Sequence, residues 1–481
     1  MDAQQTAGKQ WQFFVEHREA VIAALARGEC DAILPAARGF MDGFASFLLD
    51  HSVIDLLMRF PDPRSRRSIP AVFFCNSLLY RPLFRLDSLR QIGAVLFRSP
   101  FVLRQLGFNA RQIDSGFYAN AGRTPFDEEA LADFFAAVSA EDLQAYHQQI
   151  AVTLITQFPD LRTGGRWAMD TVYFSTPPGP HDENRHMYKA CVLGVWQPDV
   201  VWPVLWSFAS TDVADLTMGK ALLDQTHTIL PPGTIQHLLV DRGFLDGAWF
   251  STLWQKGIRV TCNLRSDMDA FTDLVGLSQM KDAVWQTVPP PDNHRTPPPV
   301  RSIALYTGLT TWSTCTAPLS GCVIRDTYPE GTEYQATIQT GQASDAQAIY
   351  QGRGQRWDVE ETFMSLTRYW TFDQLPACRP GVARALVLFA FLAFTLLGLY
   401  QQQDKGMEEA DEPAHPWGPP PLPVPEREVA VYVGPHFTLL QASELVRIIL
   451  DHVDAWQANR STILDNLRVA EGRPRRTDSG P

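Results

Sequence analysis

Between residues 165 and 266 the apolar positions switch between a period of two and a period near 3.6. "RWAMDTVYFS" (166–175), "HMYKACVLGVW" (186–196) and "VVWPVLWSFAS" (200–210) predict three strands. The last two are joined by the turn-like "QPD" and read as an antiparallel pair. "DLTMGKALLDQTHTIL" (215–230) predicts a helix, and "QHLLVDRGF" (236–244) a buried strand. "DGAWFSTLWQKG" (246–257) predicts a helix stopped by glycine, and "IRVTCNLRS" (258–266) one more strand. Three strands, a helix, a strand, a helix and a strand make a mixed α/β layer.

The flanks read differently. Residues 10 to about 150 carry helical patterns between breakers, with no strand signal strong enough to build a sheet. Residues 268–341 interrupt the α/β rhythm with "VPPPDNHRTPPP" and short β-prone runs such as "RSIALYTG" and "SGCVIRDTY", which predicts a β-rich insertion. Helical patterning resumes near 343 and runs to about 402, ending in "ALVLFAFLAFTLLGLY" (385–400), sixteen residues without a charge. A membrane span needs about 20, so this stretch is expected to be a helix buried in a core, with no membrane partner. "DKGMEEADEPAHPWGPPPLPVPERE" is an acidic, Pro-rich linker. A last helix is expected over 436–457, followed by a tail holding "GRPRR". The expected division is a helical region 1–155, a first core segment 160–267, the insertion 268–341, and a second core segment 342–402. The linker 403–428 and a C-terminal helix and tail 429–481 complete the chain.

Composition narrows the class. A chain of 481 residues is too long for one compact core. A net charge of −12 excludes a polycation that coats nucleic acid by bulk attraction, but not a locally basic groove. Such a groove has a candidate: residues 61–123 hold ten arginines against Asp62, Asp87 and Asp114. The arginine fork suits phosphates and base edges, which makes Arg64, Arg66 and Arg67 candidate DNA contacts. The seven cysteines are scattered without metal-ligand spacing, as expected of reduced thiols in a cytoplasmic setting. The first thirty residues lack the basic start and apolar run of a signal peptide.

Three acids stand out by placement. Asp170 lies inside the first strand of the α/β layer, and Asp241 closes the buried strand "HLLV". A carboxylate there must be paired, neutralised or bound to a cation. The third comes from "YQGRGQRWDVEETFMSL" (350–366). At 100° per residue, Arg353, Arg356, Glu360 and Thr367 share one stripe of a helix, beside an apolar face of Val359, Phe363 and Leu366. Glu361 falls off both and is expected in solvent. Singly, each acid reads equally well as a structural hydrogen-bonder or a surface ion pair. Together, Asp170, Asp241 and Glu360 could hold two divalent cations, Mg²⁺ with Mn²⁺ as substitute, for phosphoryl transfer.

The order of strand with Asp170, two strands, helix, strand with Asp241 and helix with Glu360 resembles the RNase H-like core of DDE transposases. More narrowly, "LLVDRGF" and "RGQRWDVEETFMSLTR" resemble bacterial insertion-sequence transposases that carry a β-rich insertion before the catalytic glutamate. "RWDVEETF" matches the R-W-x-[IV]-E-x-x-F core of their Tyr-Arg-Glu-Lys-type signature, with Arg356 and Glu360 in the Arg and Glu places. Its Tyr place is Arg353 and its Lys place Thr367, with Arg368 adjacent. The resemblance covers about residues 160–402. It implies an α/β, RNase H-like catalytic core behind a helical, arginine-rich N-terminal DNA-binding region. The implied enzyme is metal-dependent, nicks transposon ends and joins them to target DNA as a homodimer in the cytoplasm, associated with the nucleoid. It further implies DNA contacts at Arg353, Arg356, Arg242 and Arg368, and base stacking on Trp285 or Trp312, although a core position is the commoner role for such tryptophans and a plain ion pair is the alternative for Arg242. A DNA-binding relic without catalysis and a nuclease of the same fold are the competing readings.

Overall fold

The computed structural model describes residues 14–35, 40–65, 67–98, 100–109, 112–113, 117, 125–162, 164–177, 187–289, 298–370, 375–377, 379–403 and 428–462. Arg66, most of the expected linker and the tail after 462 lie outside the described residues, and the side chain of Arg368 is likewise undescribed. Among those described, thirteen strands occur. They are β1 (Val15–Glu16), β2 (Ala32–Pro35), β3 (Arg166–Ser175), β4 (Met187–Gln197), β5 (Val200–Ser210), β6 (His237–Val240), β7 (Arg259–Asn263), β8 (Gln286–Val288), β9 (Val300–Thr307), β10 (Leu319–Tyr328), β11 (Gly331–Thr340), β12 (Glu428–Val433) and β13 (His436–Gln441). The chain divides into two compact units, one of residues 1–149, 176–185 and 368–481, the other of 150–175 and 186–367.

The second unit is built on a nine-stranded sheet in the order β5-β4-β3-β6-β7-β11-β10-β9-β8. β3 pairs antiparallel with β4 and β4 with β5, whereas β3–β6 and β6–β7 are parallel. Helices Asp215–Ile229 and Gly247–Gln255 supply the crossovers that parallel pairing requires. After His237, β6 is apolar and buried (Leu238–Val240) because both faces of a central parallel strand are covered. The insertion is β-rich as expected, but it does not form a separate layer: β11 pairs antiparallel with β7, so the sheet runs on through it. Helix Ala346–Trp370 packs across the sheet. A Cβ on buried Gly352 would meet Thr261 Cγ2 at 3.3 Å and Leu239 Cδ2 at 3.9 Å, so the backbone lies almost on β6 and β7. Farther along, Trp196 Nε1 donates to Asp358 (2.7 Å), and Val201 N donates to Thr362 Oγ1 (3.0 Å). Val359, Phe363 and Leu366 are buried, the apolar face that the helical wheel predicts.

The first unit corrects three expectations. The N-terminal region is not wholly helical, because β1 and β2 join β12 and β13 in a sheet of order β1-β13-β12-β2. Strands of two and four residues leave no local pattern, and their partners lie about 400 positions away. The C-terminal helix starts at Ala442, not 436, because His436–Gln441 is the second arm of a hairpin turned at Gly434 (φ +56°). Helix Pro380–Gln403, grouped by sequence with the second core segment, belongs to this unit instead. It is long and apolar enough to cross a membrane, yet 94% of its apolar window is buried. Phe389 meets Phe60 and Phe135, and Gly381 abuts the backbone of Phe135 and Ala136. An all-round apolar helix satisfies itself in whichever core encloses it, so its sequence could not assign it to a unit.

Candidate active site

β3 and β6 run parallel with Met169 opposite Val240, so Asp170 and Asp241 occupy the next step together at the carboxyl end of the pair. Such ends of parallel strands are where α/β folds gather functional groups. β6 stops there, and Asp241 opens a turn over Arg242–Phe244, its carbonyl accepting from Phe244 N (3.0 Å). Glu360 reaches the same place from helix Ala346–Trp370. A cleft of about 380 Å³ is lined by Asp241, Arg242, Arg353, Arg356, Glu360 and Asn263, among others.

Arg356 organises the charges. Its Nη1 lies 3.5 Å from Asp241 Oδ1, and its Nη2 donates to Glu360 Oε1. The arginine side chain is 18% exposed, the carboxylates 34% and 35%. Burial alone would weaken its positive charge, but the bond it donates to Glu360 and the charges of Glu360, Asp241 and Asp170 hold its pKa above the usual arginine value. Asp170 behaves oppositely. Burial pushes its carboxyl up to about 6; a bond from Thr171 N (2.8 Å) and the Arg356 charge pull down, while Asp241 and Glu360 push up. The mutual influence of Asp170, Asp241, Arg356 and Glu360 marks one electrostatic unit.

Arg353 donates to Gln335 on β11, and burial beside Arg301 lowers its pKa. Arg242 is exposed at the cleft. Tyr350, one turn before Arg353, accepts from Arg301 Nη1 (3.3 Å), and Arg301 forms a buried bidentate pair with Asp326. Glu361 is exposed and accepts from Trp357 Nε1 (2.8 Å). The stacking candidates have ring partners already: the Arg325 guanidinium lies 3.9 Å from the Trp285 centroid, and Trp312 meets Phe250 edge-on at 5.5 Å. Arg64 is bound to Asp62 and stacked on Phe74 and Phe134, and Arg67 lies 3.8 Å from Asp62. Sequence reasoning missed Lys189, buried on β4 with its Nζ 2.5 Å from Asp215 Oδ1. Asp215 Oδ2 in turn approaches Gly243 in the turn after Asp241. A lysine inside an apolar strand pattern is the signal that could have found it.

The donor chemistry suits a hard divalent cation, since Asp170, Asp241 and Glu360 offer only carboxylate oxygens. The geometry is not that of a closed metal cage, because no group of three acidic, histidine or cysteine side chains among the described residues is arranged to hold an ion. Arg356 takes the central position between Asp241 and Glu360.

Residues 203–396 match the family model described as Transposase DDE domain. That segment carries Asp241, Arg356 and Glu360; Asp170 precedes it. No curated protein matches the chain. A piggyBac transposase synaptic complex with hairpin DNA, solved by cryo-EM, aligns over 93% of this chain and 89% of its own. Its sequence identity is 9% and its TM-score 0.38, a likeness too loose to carry any conclusion. Residues 203–396 are thus similar to a DDE transposase domain, and Asp170 on one side and Asp241 and Glu360 on the other flank the first boundary of that match.

Proposed function

We propose that the protein is a DNA transposase that cleaves at transposon ends and transfers the freed strand to target DNA by metal-dependent phosphoryl transfer. One observation carries the reading: the matched DDE domain brings Asp241 and Glu360, far apart in sequence, to one cleft beside Asp170. The strand order β5-β4-β3-β6-β7, with only β3, β6 and β7 mutually parallel, supports an RNase H-like core. A pair of Mg²⁺ ions, when bound, would activate the attacking oxygen and steady the leaving one. Asp170, Asp241 and Glu360 would hold them. With Glu360 so engaged, Arg356 would be free to bind the DNA backbone, together with Arg242 and Arg353 at the cleft. Arg368, Arg64, Arg66 and Arg67 are proposed as further DNA contacts, and two copies would pair the ends. Trp285 or Trp312 would receive a flipped base after giving up its present ring contact.

The test is cleavage and joining of supercoiled DNA bearing the ends that flank the gene, with Mg²⁺ or Mn²⁺, for wild type, Glu360→Gln and Glu361→Gln. The expected result is loss of both steps in Glu360→Gln alone, with DNA binding kept. Wild type that binds ends without nicking them would overturn the catalytic reading and favour a DNA-binding relic.

A further inference from the structure

The opposite end of the same strands holds a second cleft, of about 240 Å³. At about 30 Å³ per water it has room for roughly eight waters. Its floor is the row of strand starts: Arg166 opens β3, His237 opens β6 and Arg259 opens β7. The register places the three side by side, with Arg166 opposite His237 and His237 opposite Arg259. The Gly164–Gly165 turn holds this row in place, because the Gly165 carbonyl accepts from both Gln236 N (2.8 Å) and His237 N (3.0 Å). Gln351 and Gln355, one turn apart on helix Ala346–Trp370, form the opposite wall.

The chemistry of this lining is one-sided. Two guanidinium groups, an imidazole and several amides face the cleft, and no carboxylate lines it. Neither Arg166 nor Arg259 has an ion pair among the described residues; Arg166 lies 5.5 Å from the Trp196 ring centroid. His237 is bonded to Thr261 Oγ1 at 2.8 Å. Two unneutralised arginine forks beside amide donors make a site for a phosphate group, whose oxygens accept from both. β6 is four residues long, so this cleft lies roughly 13 Å from Asp241 at about 3.3 Å per residue.

We propose that this second cleft binds a backbone phosphate of DNA other than the one being cut, with Arg166, Arg259 and Gln351 as its ligands. The proposal rests on DNA being the substrate. Free inorganic phosphate has the same chemistry and is the alternative source.

Two variants test it: Arg166→Gln with Arg259→Gln, and Gln351→Glu alone. Gln351 is exposed on the helix, so its variant changes the charge of the cleft without touching the sheet. Binding to a duplex is measured over 50–200 mM salt, and inorganic phosphate is titrated by calorimetry. The expected result is several-fold weaker duplex binding in both variants, with the slope of log K against log salt reduced by about 0.9, the share of one phosphate. Duplex binding and slope equal to wild type in both variants would overturn the proposal while leaving the transposase reading intact. Phosphate binding lost in the variants with duplex binding unchanged would overturn it too, in favour of a free-anion site. A wild type that binds no duplex would overturn both readings together.

Discussion

Asp170→Asn should stabilise the protein at neutral pH. In the folded protein the Asp170 carboxyl is raised from 3.8 to about 6, chiefly by burial. A raised acid favours folding only while protonated, so its contribution is fully present below about pH 4 and is lost as pH rises through about 6. At about 1.4 kcal/mol per pH unit, holding the charged form in place costs about 3 kcal/mol at pH 7.5 and about 1 kcal/mol at pH 4.5. Asparagine removes the charge and keeps an oxygen to accept from Thr171 N. Urea unfolding of wild type and variant, with chelator present, should show a gain of about 2–3 kcal/mol at pH 7.5 shrinking to about 1 kcal/mol at pH 4.5. Magnesium should then stabilise wild type at pH 7.5 and the variant far less. A variant no more stable than wild type at pH 7.5, or a gain equal at both pH values, would refute the view that the fold strains this carboxylate.

Two further predictions concern what holds the Glu-bearing helix. Asp326→Ala strands the Arg301 guanidinium, whose Nε and Nη2 now meet the carboxylate at 2.6 and 2.5 Å; it should cost about 3–5 kcal/mol in chemical denaturation, and Arg301→Met in the same chain should recover most of that. Gly352→Leu puts a side chain where helix and sheet have room for none; the expected cost is about 1–3 kcal/mol in a thermal melt, with DNA cleavage falling further than stability because Arg356 and Glu360 lie one and two turns downstream.

What the sequence made legible was whatever repeats locally. The burial of Val359, Phe363 and Leu366, and the exposure of Glu361, follow from angles on one helix. Asp170 and Asp241 could be singled out because an acid in an apolar strand is anomalous wherever the strand goes. The small terminal sheet was not legible: Val15–Glu16 and Ala32–Pro35 are strands only because β12 and β13 lie beside them. Arg64 shows a different limit. A run of arginines counts charge but not partners, and Arg64 is engaged with Asp62, Phe74 and Phe134. Arg166, His237 and Arg259 are separated by 71 and 22 positions, and only strand register makes them neighbours.

Arg356 ties the acid site together. Three carboxylates in a half-buried cleft repel one another, and the raised Asp170 carboxyl is one measure of that, added to burial. Without a cation, the cheapest counter-charge is one already fixed nearby, and an arginine four residues before Glu360 on the same helix needs little reorganisation to supply it. The same placement makes it displaceable. Its bonds go to carboxylates about one-third exposed, where water can replace each bond as it breaks. In the proposed function, divalent ions would compete with one guanidinium for Asp241 and Glu360, and the guanidinium so released would face the cleft proposed to take a phosphate. Under the proposed function Glu360 and Arg356 form one device: the arginine that holds the site's charge balance when it is empty would bind substrate when it is filled.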